Sequence, residues 1–129
     1  MTLNDPISNA LVNIKNNETA AKKECTLRPA SKLLQRILEV LKENGYIEGF
    51  ERTGSEKAEF RIKLAGRINE CKAIKPRYAV SKDGFEKFEK RYLPSRDIGM
   101  LVVSTSQGIF SHKEAKKRSI GGRLLAYVY

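Results

Sequence analysis

Three hydroxyl residues in a row, Ser104, Thr105 and Ser106, and the lone histidine, His112, are the side chains of this chain best suited to nucleophilic chemistry. A serine within reach of an imidazole can lose its proton to it and attack an acyl or phosphoryl centre. That chemistry also needs an acid to orient the base and a sharp strand-to-helix elbow to expose the oxygen. No such elbow stands near these residues, and the one nearby carboxylate, Glu114, reads as part of a helix cap, so the pairing is weak and no catalytic residue is assigned. Ser111-His-Lys-Glu114 matches a capping box, which reads His112 as a surface residue at a helix start. Cys25 and Cys71 are single and far apart, with no histidine cluster beside them. They read as reduced, half-buried thiols of an intracellular protein and supply no metal site. The sequence contains no Walker loop and no Gly-x-Gly-x-x-Gly. It implies no enzyme, no cofactor and no small-molecule substrate.

The charge points elsewhere. The 129 residues carry a formal net charge of +10, a balance that suits an anionic partner, most often nucleic acid. The excess is uneven: residues 1–66 hold 11 Lys and Arg against 9 Asp and Glu, whereas residues 67–129 hold 14 against 6. The C-terminal half is therefore expected to meet the anion first. No apolar run approaches the length of a membrane span, and the N-terminus lacks the charged and apolar regions of a signal peptide.

The elements that must position these residues follow from periodicity. Asp5 and Pro6 suit the start of a helix whose Ile7, Ala10, Leu11 and Ile14 form one apolar stripe and which Asn16-Asn17 should end. Glu24 to Arg28 alternates as a short strand. Ser31 can cap a second helix bearing Leu34, Ile37, Leu38 and Leu41, stopped by Asn44-Gly45. Tyr46–Phe50 and Ala58–Leu64 read as strands, the second with Phe60, Ile62 and Leu64 inward. Lys72 to Arg77 reads as extended, and Phe85, Phe88 and Tyr92 form an aromatic stripe on a short helix ended by Pro94. Ile98–Ser104 reads as a strand, Ile120-Gly-Gly122 as a tight turn, and Arg123–Tyr129 as a closing strand with Leu124, Ala126 and Val128 inward. The fold class is α+β in two small lobes. Residues 1–66 form an N-terminal α-β-α-β-β lobe, and residues 67–129 form a basic C-terminal lobe, mostly β with short helices.

Ser104 to Gly108 would then be the tip of a buried hairpin, with a basic helix behind it. Lys113, Lys116, Lys117, Arg118 and Arg123 can meet phosphates, each contact releasing counterions. The hydroxyl tip has two readings that composition leaves even: a surface for RNA sugar edges and unstacked bases, or a turn satisfying its own backbone. Asn9, Asn13 and Asn16 lie along one polar helix face, where amides can bond RNA or simply be solvated. A DNA reader would need a longer helix with base-reading side chains at groove spacing than the Lys-Lys-Arg segment offers.

Along its whole length the chain resembles the small-subunit ribosomal protein S-eight family, archaeal and eukaryotic type. The residues that carry the resemblance are Asp5-Pro-Ile7 with Asn9, Leu11 and Ile14; Pro29-Ala-Ser-Lys32; Asn44-Gly-Tyr-Ile47; Ser104-Thr-Ser-Gln-Gly108; Ala115-Lys116; and Gly121-Gly122. The Phe-Glu-Lys-Phe-Glu-Lys-Arg-Tyr-Leu-Pro94 segment and the Leu-Leu-Ala-Tyr-Val-Tyr129 ending look like the archaeal and eukaryotic branch. Arg123 departs from the glutamate that follows the glycine pair in bacteria, so contacts of that glutamate are not carried over. The resemblance implies a structural protein of the cytoplasmic ribosome that binds a helical junction in the central domain of small-subunit rRNA and supports early assembly. It implies that Ser104, Thr105, Ser106 and Gly108 face irregular bases of the RNA; Gln107, Gly121 and Gly122 and the cations Lys113, Lys116, Lys117 and Arg118 join them as candidate RNA-binding residues. Pro29, Ala30, Ser31 and Lys32, with Asn9, Asn13 and Asn16, would touch a neighbouring stretch of RNA. A protein of the S-five family is the implied neighbour.

Overall fold

A computed structural model describes residues 6–27, 31–54, 58–95 and 98–129. The chain divides into two compact units, Met1–Cys71 and Lys72–Tyr129.

In the first unit the order is α1 (Pro6–Thr19), β1 (Glu24–Leu27), α2 (Lys32–Glu43), β2 (Ile47–Thr53) and β3 (Glu59–Leu64), the expected α-β-α-β-β. The three strands form an antiparallel sheet in the order β1-β3-β2. Phe60, Ile62 and Leu64 point inward, as alternation predicts, while Arg61 and Lys63 are exposed. Ser31 caps α2: its Oγ accepts from the Leu34 N–H at 3.1 Å. The helix buries Leu34, Ile37, Leu38, Val40 and Leu41, each side chain worth about 1.5–3 kcal/mol when fully withdrawn from water.

Helix α1 runs past its expected stop at Asn16-Asn17 to Thr19. The Asn17 amide donates back to Asn13 O and Oδ1, at 2.7 and 2.6 Å, and so supports the helix instead of ending it. The left-handed backbone comes at Ala21, φ 58°. The proposed Asp5 cap lies outside the described residues, as do Arg28, Pro29 and Ala30. Residues 67–71 belong with the first unit, where the Cys71 thiol donates to Leu11 O at 3.1 Å and Lys15 pairs with Glu70 at 2.7 Å.

The second sheet contains β4 (Cys71–Ala73), β5 (Ala79–Val80), β6 (Met100–Thr105), β7 (Gly108–Ser111) and β8 (Gly122–Val128), in the order β4-β8-β6-β7 with β5 also on β8. Two short helices, α3 (Phe85–Tyr92) and α4 (His112–Lys117), complete the unit. The aromatic stripe is core: Phe85 and Phe88 are buried with Ile74, Val80, Leu93, Leu101, Val103, Ala115 and Leu124, and Tyr92 packs against them.

Strand β8 breaks the simple alternation expected of it. Leu124, Ala126 and Val128 are buried, and so is Leu125. Val102 pairs with Ala126 but Val103 with Leu124, so Leu125 is the extra residue of a bulge. A bulge shifts the inward phase by one residue, which a strict period of two cannot show.

Candidate nucleic-acid interface

The expected tip is a β6–β7 hairpin. Val102, Val103, Ser104 and Thr105 pair with Ser111, Phe110, Ile109 and Gly108, leaving Ser106 and Gln107 as the two-residue connection. The Thr105 hydroxyl holds the connection shut: its Oγ1 donates to Gly108 O at 2.7 Å and accepts from the Gln107 N–H at 3.1 Å. Gly108 takes the positive φ of 133°, open to a residue without Cβ. The turn reading of the hydroxyl run holds for Thr105. Thr105 satisfies backbone, whereas Ser106, Gln107 and Gly108 are exposed and Ser104 is partly covered. Ile109 and Phe110, expected within a buried hairpin, are only partly buried.

Gly121 and Gly122 set the tip's footing. A Cβ on Gly122 would stand 2.2 Å from Ser104 O, and one on Gly121 would stand 2.3 Å from Val80 O. Only a residue without Cβ lets β8 pass so near the end of β6. Gly122 opens a strand and is not part of a tight turn. Arg123, the next residue, is exposed and pairs with Ser104 across the ladder.

Behind the hairpin, Ser111 caps α4, its Oγ accepting from the Glu114 N–H at 3.3 Å. The second arm of the expected capping box is diverted: the Glu114 carboxylate accepts from Arg118 Nε at 3.0 Å. The Arg118 guanidinium lies 4.3 Å from the Phe110 ring centre, and its Nη1 donates to Gln107 Oε1 at 3.3 Å. Lys113 and Lys117 are exposed. Lys116 instead reaches Glu89, a buried carboxylate on α3.

His112 corrects its sequence reading: it is fully buried, not a surface residue. Its Nδ1 accepts from the Leu101 N–H at 3.0 Å, which fixes the tautomer with hydrogen on Nε2. Nε2 lies 3.0 Å from Glu89 Oε1 but lacks the alignment of a hydrogen bond. Burial lowers its pKa to about 4, against the pull of Glu89 in the other direction. With Nδ1 committed to backbone, the ring is no base for Ser104 or Ser106, and the hydrolase pairing falls. The sequence did hold a signal for this cluster. Glu89 stands on the Phe85–Phe88–Tyr92 stripe, and His112 and Lys116 flank the buried Ala115 at helical spacing.

In the first unit, Ser31 is occupied as a cap and Lys32 beside it is exposed. Asn9, Asn13 and Asn16 are exposed along α1. Asn13 also donates to Thr26 O at 3.3 Å. Pro29 and Ala30 lie outside the described residues. Cys25 and Cys71 are buried free thiols, their pKa values pushed up by burial to about 11 and about 12. Among the described residues no group of three or more His, Cys, Asp or Glu side chains is placed to hold a metal ion, and no helix is long and apolar enough to cross a membrane.

A two-unit α+β protein with an exposed hairpin tip, cations behind it and its one imidazole sealed in the core has the features of a binding protein. A family profile described as Ribosomal protein S8 matches residues 5–129. A Halorubrum lacusprofundi protein named small ribosomal subunit protein uS8 is 51% identical over 130 residues, covering all of both chains. A Halobacterium salinarum protein of the same name is 52% identical, again over the full length of both. The chain belongs to the ribosomal protein S8 family, as its resemblance had implied, and these relatives are archaeal.

Proposed function

We propose that the chain is a structural constituent of the small ribosomal subunit in the cytoplasm, binding small-subunit rRNA through the hairpin tip of its second unit. The observation that carries the site is the exposed Ser106-Gln107 connection, pinned by the Thr105 hydroxyl and footed on Gly121-Gly122. A rigid tip loses little entropy on binding, and its hydroxyl and amide can address irregular bases and 2′-hydroxyls. Lys113, Lys117 and Arg123 supply exposed positive charge for phosphates. Ser104, Thr105 and Gly108 shape the contact, and Gly121 and Gly122 act by letting the backbones approach. Lys32 with Asn9, Asn13 and Asn16 form the proposed contact of the first unit, beside Pro29, Ala30 and Ser31. The RNA-bound protein would support assembly at a central-domain junction and sit beside a protein of the S-five family.

Footprinting on full-length small-subunit rRNA tests the reading. One protected helix or junction, lost with Ser106→Ala at unchanged folding, is the expected result. Diffuse protection that Ser106→Ala leaves alone would mark a generic basic binder.

A further inference from the structure

The geometry points to Arg118 as a positioning residue for Gln107, not a phosphate contact, an inference that rests on the tip being the RNA-binding surface. Three interactions hold the guanidinium. It lies 4.3 Å from the Phe110 ring centre, its Nε donates to Glu114 Oε1 at 3.0 Å, and its Nη1 donates to Gln107 Oε1 at 3.3 Å. The ring and the carboxylate fix the plane of the fork and oppose its charge, so Arg118 offers less to a phosphate than Lys113 or Lys117 does.

The consequence for Gln107 follows from donor chemistry. A guanidinium has only donors, so the amide atom it faces must be the oxygen. The Gln107 NH2 is thereby turned away from Arg118, at the exposed end of a two-residue connection whose main chain Thr105 already holds. An amide free to flip offers a donor or an acceptor equally. This one is held as a donor pair, suited to an acceptor on RNA such as a base carbonyl, a ring nitrogen or a phosphate oxygen. Phe110 and Glu114 act one step further back, by holding Arg118.

The test is a double-mutant cycle in RNA binding. Affinity for a transcript of full-length small-subunit rRNA is measured across a salt series for wild type, Gln107→Met, the charge-neutral pair Glu114→Gln with Arg118→Leu, and all three substitutions together. Circular dichroism and the unfolding midpoint verify the fold. Gln107→Met and the charge-neutral pair are each expected to lose about tenfold in affinity relative to wild type, in the range of one lost polar contact. The triple variant should lose no more than Gln107→Met does, and the salt slope should match wild type throughout. Arg118→Lys, which keeps the charge and loses the flat fork, should weaken binding at unchanged slope and serves if the neutral pair unfolds. Additive losses, or a slope lowered by about one when Arg118 is replaced, would show a direct phosphate contact and overturn the inference. If Ser106→Ala weakens binding while Gln107→Met does not, this inference fails and the RNA-binding tip stands. If neither changes affinity, the tip reading fails with it.

Discussion

The Nε2 of His112 lies 3.0 Å from Oε1 of Glu89, both side chains sealed from solvent, while Lys116 reaches the same oxygen from the surface side. A buried carboxylate is costly unless it is paired and bonded. Here one half-exposed cation pairs with it, and a neutral imidazole lies against it without a hydrogen bond. The cluster ties α3 to α4, and through the Leu101 N–H it ties α4 to β6, the strand that carries the tip.

Acid should therefore loosen the second unit. The His112 pKa is lowered to about 4 by burial, against an ordinary value of 6.5. Between those values the unfolded chain takes up a proton that the folded chain refuses. The neutral ring's contribution is thus complete above about pH 6.5 and is lost as pH falls toward 4. His112→Asn keeps an acceptor for Leu101 without the titration. It should cost about 1–3 kcal/mol near neutral pH, from lost packing and a poorer bond, and should flatten the pH dependence in that window. Chemical denaturation of both proteins between pH 4 and 7 measures this. Parallel curves would show that His112 does not titrate there.

The glycine pair makes a steric prediction. Gly122→Ala places a methyl 2.2 Å from Ser104 O, and β6 or β8 must move to admit it. Overpacking of this kind costs about 1–3 kcal/mol, and more against backbone. Gly49→Ala meets nothing within 4 Å and should stay within about 0.5 kcal/mol of wild type, as surface substitutions usually do. Denaturation midpoints for the two variants decide it; equal midpoints would mean that β8 is not pressed against Ser104.

What could be read in advance was what repeats locally. Leu34, Ile37, Leu38 and Leu41 betray α2 because a helix returns every 3.6 residues, and Phe60, Ile62 and Leu64 betray β3 because a strand alternates. The bulge at Leu125 left no such mark, since it depends on which β6 residue stands opposite. The extension of α1 to Thr19 depends on a side-chain bond from Asn17 to Asn13 that competes with the stop signal of two asparagines. At the tip, a hairpin was legible from the polar run Ser104 to Gly108 between apolar residues, but not that Ser106 and Gln107 alone form its connection, which cross-strand pairing decides. The division of labour within it was not legible either. Thr105 turns inward to the backbone and Arg118 toward Gln107 through distances and angles that residue types leave undetermined. Glu89 and Lys116 are 27 residues apart, so only their places on two helical stripes hinted at the pair.

The thiols give a third test. Cys25 and Cys71 are buried, with pKa values raised to about 11 and about 12. The nucleophile is the thiolate, so both should resist iodoacetamide at pH 8 in the folded protein and react at once in denaturant. Mass spectrometry of the alkylated chain reads the result. Prompt labelling of Cys71 without denaturant would mean that its bond to Leu11 O opens readily.

The lysines of α4 lie one turn of helix or less apart, yet they should not behave alike. Lys113 and Lys117 are exposed, whereas Lys116 is held against Glu89. Replacing Lys113 and Lys117 with Ala should lower the slope of log affinity for rRNA against log salt by about two, near one for each phosphate contact, with stability unchanged. Lys116→Ala should do the reverse. Its charge already answers a buried carboxylate, so the salt slope should move little, while the unfolding midpoint should drop because Glu89 is left in the core with only a neutral imidazole beside it. Lys116→Ala with Glu89→Gln removes the stranded charge and should recover part of that loss. A Lys116→Ala variant of wild-type stability and reduced salt slope would instead place Lys116 on the RNA.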